Sequence, residues 1–123
     1  MIIMLAWPDK ALWVNRNRGK SWHTLSKAKE AALSEGCAAT LQALGGQRKP
    51  DWQGVRLQVE IVAHKGNKAP FDLDNLAGAM KAHLDGISAT LGINDNQIDR
   101  LIITREYTVK GGMVNIIIQE LIK

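Results

Sequence analysis

Asp72 and Asp74 stand two residues apart with Leu73 between them, a spacing that can do chemistry. In an extended segment both carboxylates project to one side while Leu73 points into the core. Two hard oxygen donors then converge. Mg²⁺ takes about six oxygens, keeps several waters, and is usually bound by one or two carboxylates together with substrate phosphate, so such a pair suits it. The chemistry served would be phosphodiester hydrolysis, in which a carboxylate-held metal ion activates water and offsets charge on the phosphoryl and leaving oxygens. Asp95 is the candidate third carboxylate. The helix between carries it away from Asp74 by about 1.5 Å per residue, so a packed turn or a neighbouring subunit has to bring it back. A bare D-x-D also has a plainer explanation, in which Asp72 caps one turn and Asp74 caps the following helix with no metal involved.

The elements that must position these residues are legible in outline. Met1 to Trp7 is apolar and about one strand long, with no basic leader and with Pro8 and Asp9 behind it, so it reads as a first strand rather than a signal segment. Ser26 to Leu44 favours helix, with Ala28, Ala31, Ala32, Leu33, Cys37, Leu41 and Leu44 as its apolar side, Thr24 or Ser26 as cap, and Gly45-Gly46 as its end. Gln47 to Gly54 is a surface connection. Val55, Leu57, Val59, Ile61 and Ala63 then alternate with polar residues, the pattern of a half-buried strand. After a basic loop, Leu76, Met80, Leu84, Ile87 and Leu91 fall at helical spacing with Asp74 as N-cap and Gly92 as the stop. Ile98 to Tyr107 alternates again, and Lys110-Gly111-Gly112 reads as a hairpin turn into Met113 to Ile122, which predicts antiparallel pairing of the last two strands. The expected fold is one α+β domain over residues 1–123, with a mixed or antiparallel sheet of about four strands packed against two main helices.

Composition sets the class. With 46% apolar and 23% charged residues and no run long enough to span a bilayer, membrane insertion is excluded as an expectation. The single Cys37 makes neither an internal disulfide nor a thiol metal site, and reads as a small buried helix residue in a reducing, cytoplasmic setting. Much of the net charge of +4 sits near the N-terminus in Arg16, Arg18, Lys20, His23, Lys27 and Lys29. That cluster is either a phosphate-contacting patch or a solvated face. Asn15 belongs to the same stretch, and Lys65 and Lys68 in the later basic loop are further candidate DNA contacts. His23, His64 and His83 show no metal-ligand spacing and read as surface or satisfied histidines. Of the four tryptophans, Trp7 reads as core. Trp13 and Trp22, beside the basic cluster, are candidates for stacking on unpaired bases.

The longer string narrows the choice. Phe71-Asp72-Leu73-Asp74-Asn75-Leu76, a helix ending in Leu84-Asp85-Gly86, and then Asn94-Asp95-Asn96-Gln97-Ile98 resemble the D-L-D-N-L motif, helix and D-D-x-Q loop of the RusA family of Holliday junction resolvases. Ala6-Trp7-Pro8 and the stretch Asn15 to Lys20 resemble that family's opening strand and its Asn- and Arg-rich loop, so the resemblance covers nearly the whole chain. It implies a homodimeric endonuclease of DNA recombination and repair that binds four-way DNA junctions and makes paired, symmetric cuts with Mg²⁺ or Mn²⁺. Its metal ligands would be Asp72, Asp74 and Asp95. The sequence departs from the family at Gly78, where the pattern has a lysine, and at Asn94, where it has an aspartate. Lys81, one turn further along the same helix face, either supplies the missing cation at the attacked phosphate or is a solvated residue paired with Asp85. Two other readings stay open: a junction- or RNA-binding protein that has lost catalysis, and a dimeric structural protein whose acids are only caps.

Overall fold

Alternation of apolar residues at period two builds the sheet. In strand β1, Ile2–Ala6, Ile3 and Leu5 face inward while Ile2 and Met4 stay 60% and 65% exposed. Strand β2, Leu57–His64, buries Leu57, Val59, Ile61 and Ala63. Strand β3, Ile98–Arg105, is mostly exposed or half-buried, and strand β4, Met113–Glu120, buries Val114, Ile116 and Ile118. A computed structural model describes residues 1–13 and 22–122, and Asn15, Arg16, Arg18 and Lys20 lie outside the described residues.

The four strands form one mixed sheet in the order β1-β4-β2-β3, with β2 parallel to β3 and antiparallel to β4, and β4 antiparallel to β1. Register aligns Ile3, Ile116, Ile61 and Ile103 in one row across it. The inner face meets Leu76, Met80, Ile87 and Leu91 in the main core. Each fully buried side chain of this size contributes about 1.5–3 kcal/mol.

The final two strands are not a hairpin, which corrects the expected pairing. Beyond Arg105 the chain stays bonded to the β2 side, through Glu106 N to Ala63 O at 2.9 Å and Val109 N to Lys65 O at 3.0 Å. It rounds the end of β2, reverses through Gly111 and Gly112 at φ 82° and 75°, and returns on the other side of that strand. The side chains explain the choice. Asp99, Arg100 and Arg105 suit β3 to an edge, where charge discourages further pairing, whereas the buried isoleucines of β4 belong in the sheet interior.

Helix α1 runs Trp22–Leu44, starting ahead of the expected Ser26, so Thr24 and Ser26 lie within it rather than capping it. No proline or glycine interrupts Trp22 to Ser26, and nothing there stops the helix from extending. Its buried residues are Ala32, Gly36 and Thr40, while Leu33 and Leu41, expected on the apolar side, are exposed. The reason is backbone contact with helix α3, Lys81–Leu91. A Cβ on Gly36 would collide with the His83 carbonyl, and one on Gly86 with the Leu33 carbonyl. Only small residues fit such a crossing. Cys37, half-buried there, donates to Gly86 O at 3.4 Å.

The expected second helix is two. Helix α2, Leu73–Ala79, is separated from α3 at Met80, with φ −91° and ψ −1°. Gly78, a poor helix former, weakens the turn just before the break, and the fully buried Met80 side chain pins the bend to the core. Gly92, at φ 70°, ends α3.

Candidate active site

Three separate segments converge around Phe71. Trp7 follows β1. Asp9 Oδ1 accepts from Ala11 N at 2.8 Å and caps a short 3₁₀ turn, Lys10–Leu12, which delivers Trp13. The indoles of Trp7 and Trp13 lie 5.9 Å apart at 22°, and Phe71 meets them edge-on at 5.2 and 6.4 Å. Arg105, at the end of β3, also holds Phe71: its guanidinium donates to Phe71 O at 2.6 Å and lies 4.7 Å from the ring centre. Lys65, whose ammonium bonds Ala69 O at 2.9 Å, sits 5.6 Å from the same ring. Trp7, Trp13, Phe71 and Lys65, with Pro8, Lys10, Pro70, Asp72 and Asn75, line a cleft of about 580 Å³.

Asp72 opens α2. Its backbone is extended, its carbonyl accepts from Leu76 N at 3.1 Å, and its carboxylate makes no capping bond to the helix. Asp72 Oδ2 accepts from the Asn75 side-chain amide at 3.2 Å, and Asp74 Oδ1 accepts from Asn75 N at 3.0 Å. The expected extended D-x-D is thus corrected. Asp72 is the N-cap position, Asp74 lies in the first helical turn rather than capping it, and Leu73 is the half-buried first helical residue. The local cause is the helical signal of Leu73 to Ala79, which reaches three residues further back than its apolar spacing suggests. Both carboxylates are exposed, and among the described residues neither is in a salt bridge.

Asp95 is held elsewhere. It begins a 3₁₀ turn, Asp95–Gln97, closed by Asn94 N to Gln97 Oε1 at 2.9 Å. Gln97 Nε2 donates to Trp52 O at 2.6 Å and Val55 O at 2.9 Å, fixing the turn to the connection ahead of β2. So anchored, Asp95 Oδ2 receives Lys81 Nζ at 3.2 Å, while the same ammonium donates to Asp85 Oδ1 at 2.8 Å. These bonds, Asp85 first, raise the Lys81 pKa above its ordinary value against a small opposing effect of burial.

Compared with protein-family models and with curated proteins, the chain matches none. The residues must therefore carry the functional reading themselves. Asp72 and Asp74 fit a hard cation that keeps most of its waters and takes phosphate oxygens. The expected set of three does not come together: among the described residues no group of three or more His, Cys, Asp or Glu could hold a metal ion.

Of the other expected residues, Lys65 lines the cleft and Lys68 is exposed on the same loop. Trp22 is 80% exposed at the start of α1, and Trp13 belongs to the cleft. His64 is buried with Nδ1 3.0 Å from Tyr107 O, and His23 is exposed. His83 is buried with Nε2 3.1 Å from Glu35 Oε2, and among the described residues its Nδ1 has no hydrogen-bond partner. Sequence reasoning missed Phe71, Lys10 and Arg105. The aromatic residue directly ahead of Asp72, and the Trp7-Pro8 step, were the available signals. Among the described residues no helix is long and apolar enough to cross a membrane.

Proposed function

We propose that the chain is a Mg²⁺-dependent, structure-selective endonuclease that cuts four-way DNA junctions in symmetric pairs, as its resemblance to RusA-family resolvases implies. The observation that carries this is the position of Asp72, exposed and in no salt bridge among the described residues, on the wall of a cleft lined also by Trp7, Trp13 and Phe71 and by Lys10 and Lys65. Asp72 and Asp74 would hold Mg²⁺, with Mn²⁺ as a substitute. The ion supplies an activated water and offsets charge on the reacting phosphate. Lysines at the cleft bind and orient the DNA backbone, and their release of counterions makes binding weaken with salt. Lys81, hydrogen-bonded to Asp85, provides a positive charge one helix on. Asp95 would join Asp72 and Asp74 as the third ligand only by leaving Lys81 and moving toward the pair, since the three carboxylates do not group among the described residues. Paired cuts require two active sites, hence a homodimer.

One observation favours a second reading. Lys81 occupies Asp95, leaving two carboxylates rather than three, and Gly78 stands where the family has lysine; both suit a binder of junctions or RNA that no longer cuts. The test is cleavage of a synthetic four-way junction, with linear duplex as control, by wild type and Asp74→Asn, in Mg²⁺ and in EDTA. The nuclease reading expects junction-selective, metal-dependent, symmetric nicking that Asp74→Asn abolishes. Binding by the wild type without product establishes the lapsed binder.

A further inference from the structure

The cleft beside Asp72 contains more than a carboxylate pair needs to hold a metal ion. Trp7 and Trp13 present near-parallel rings, Phe71 stands edge-on to both, and Asn75 adds an amide. Its volume of about 580 Å³ falls in the range of small-molecule sites, roughly 300–1,000 Å³, which are likewise mostly apolar with a few placed polar groups.

Three rings around a cavity can also cage a cation. Charge argues against that here. The Phe71 ring already faces Lys65 at 5.6 Å and Arg105 at 4.7 Å, and Lys10 adds a third positive group. Away from Asp72, a cation over the Phe71 ring would meet Lys65 and Arg105 already there, and a neutral aliphatic ligand would leave the ammonium groups unused. A flat aromatic ring joined to a separate anionic group satisfies both features, and a nucleotide, with its neutral base and charged phosphate, is that combination.

We propose that this cleft seats a single unpaired nucleobase against Trp13 and Phe71, with the adjoining phosphate on Lys10 and Lys65. The assignment rests on the nucleic-acid reading above and gives it a basis for selectivity. A base in continuous duplex must be unpaired and unstacked before it can enter a pocket, at a cost that is least where pairing is already broken. The branch point of a junction offers such a base, and the cleft holds it beside Asp72, where the next phosphate meets the carboxylate pair.

The experiment measures binding of two fluorescently labelled four-way junctions in EDTA at fixed salt, one intact and one abasic at the branch-point nucleotides. Wild type is expected to bind the intact junction roughly tenfold more tightly, in keeping with stacking of one base on an aromatic residue. Trp13→Ala should erase that preference. Lys10→Gln, at an exposed position, should weaken binding to both junctions and reduce the salt dependence while keeping the preference. Tryptophan fluorescence of the wild-type protein gives a readout that needs no variant: quenching by the intact junction and not by the abasic one. Equal affinity and equal quenching overturn the base-seating cleft, even if Mg²⁺-dependent cleavage is present and the nuclease reading stands. A base-dependent preference with no cleavage in Mg²⁺ upholds the cleft and overturns the nuclease reading.

Discussion

Lys81 Nζ donates to Asp95 Oδ2 at 3.2 Å, tying the first residue of α3 to the 3₁₀ turn beyond its end. The hydrogen bond to Asp85, followed by that to Asp95, raises the Lys81 ammonium above its ordinary value of 10.5. A raised folded-state value means that the pairing contributes stability below pH 10.5 and loses it as pH rises through the raised value. The three side chains are 61%, 43% and 68% exposed, so solvent screening keeps the contribution small. Lys81→Ala is therefore expected to lower unfolding free energy by less than about 1 kcal/mol, with the difference from wild type vanishing in strong alkali. Urea titrations at pH 8 and above pH 11 measure it. In the proposed nuclease the same change lowers the cleavage rate at least about tenfold with little loss of junction affinity, because it removes charge that acts on the transition state.

Asp72→Asn and Asp74→Asn separate chemistry from stability. Neither carboxylate has a cationic partner among the described residues, and their only hydrogen bonds given by the structure come from Asn75. Removing one negative charge at the start of α2 forfeits about 0.3–1 kcal/mol of favourable interaction with the helix N-terminus. In the proposed nuclease, cleavage is expected to be lost while the thermal melt shifts by only a few degrees. A large fall in stability with either substitution would show that the pair serves the fold.

Gly36→Ala and Gly86→Ala should each destabilise strongly. The added Cβ meets a carbonyl of the facing helix, not a side chain that can swing aside. Overpacking of a tight contact costs about 1–3 kcal/mol, and more where backbone must move. Chemical denaturation of the two variants is the measurement, and wild-type stability in either would place the α1–α3 crossing further apart.

Gln97→Ala removes the bonds from one amide to Trp52 O and Val55 O, and the acceptor for Asn94 N. Leaving half-buried polar groups unmade costs about 1–3 kcal/mol. The turn that carries Asp95 is expected to loosen, which hydrogen exchange at Asn94 to Ile98 would detect as lost protection.

Much of this was legible because period is a local property. Leu57, Val59, Ile61 and Ala63 announce a half-buried strand by alternation alone, and Leu76, Met80, Leu84 and Leu91 announce helix. The strand order was not legible. Lys110-Gly111-Gly112 signals that the chain turns back but says nothing about which strand it returns beside, and β2 came between. The cleft escaped because Trp7, Trp13 and Phe71 are contributed by three segments that only the tertiary fold unites. Asp72 and Asp74 were found by type and spacing. The partner of Asp95 depended on where Gln97 finds its acceptors, which spacing along a helix does not disclose.

The place of β4 between β1 and β2 has a consequence for how the chain reaches this state. The middle of the sheet is its last strand in sequence, and the Met1 ammonium donates to Ile118 O across a separation of 117 residues. During synthesis β1 emerges first and has no partner until nearly everything else has been made. Such long-range closure is intrinsically slow, and the unpaired apolar edge of β1 is exposed to other nascent chains in the interval. Loss of β4 would therefore take out an interior strand of the sheet and leave β1 stranded, rather than trim an edge.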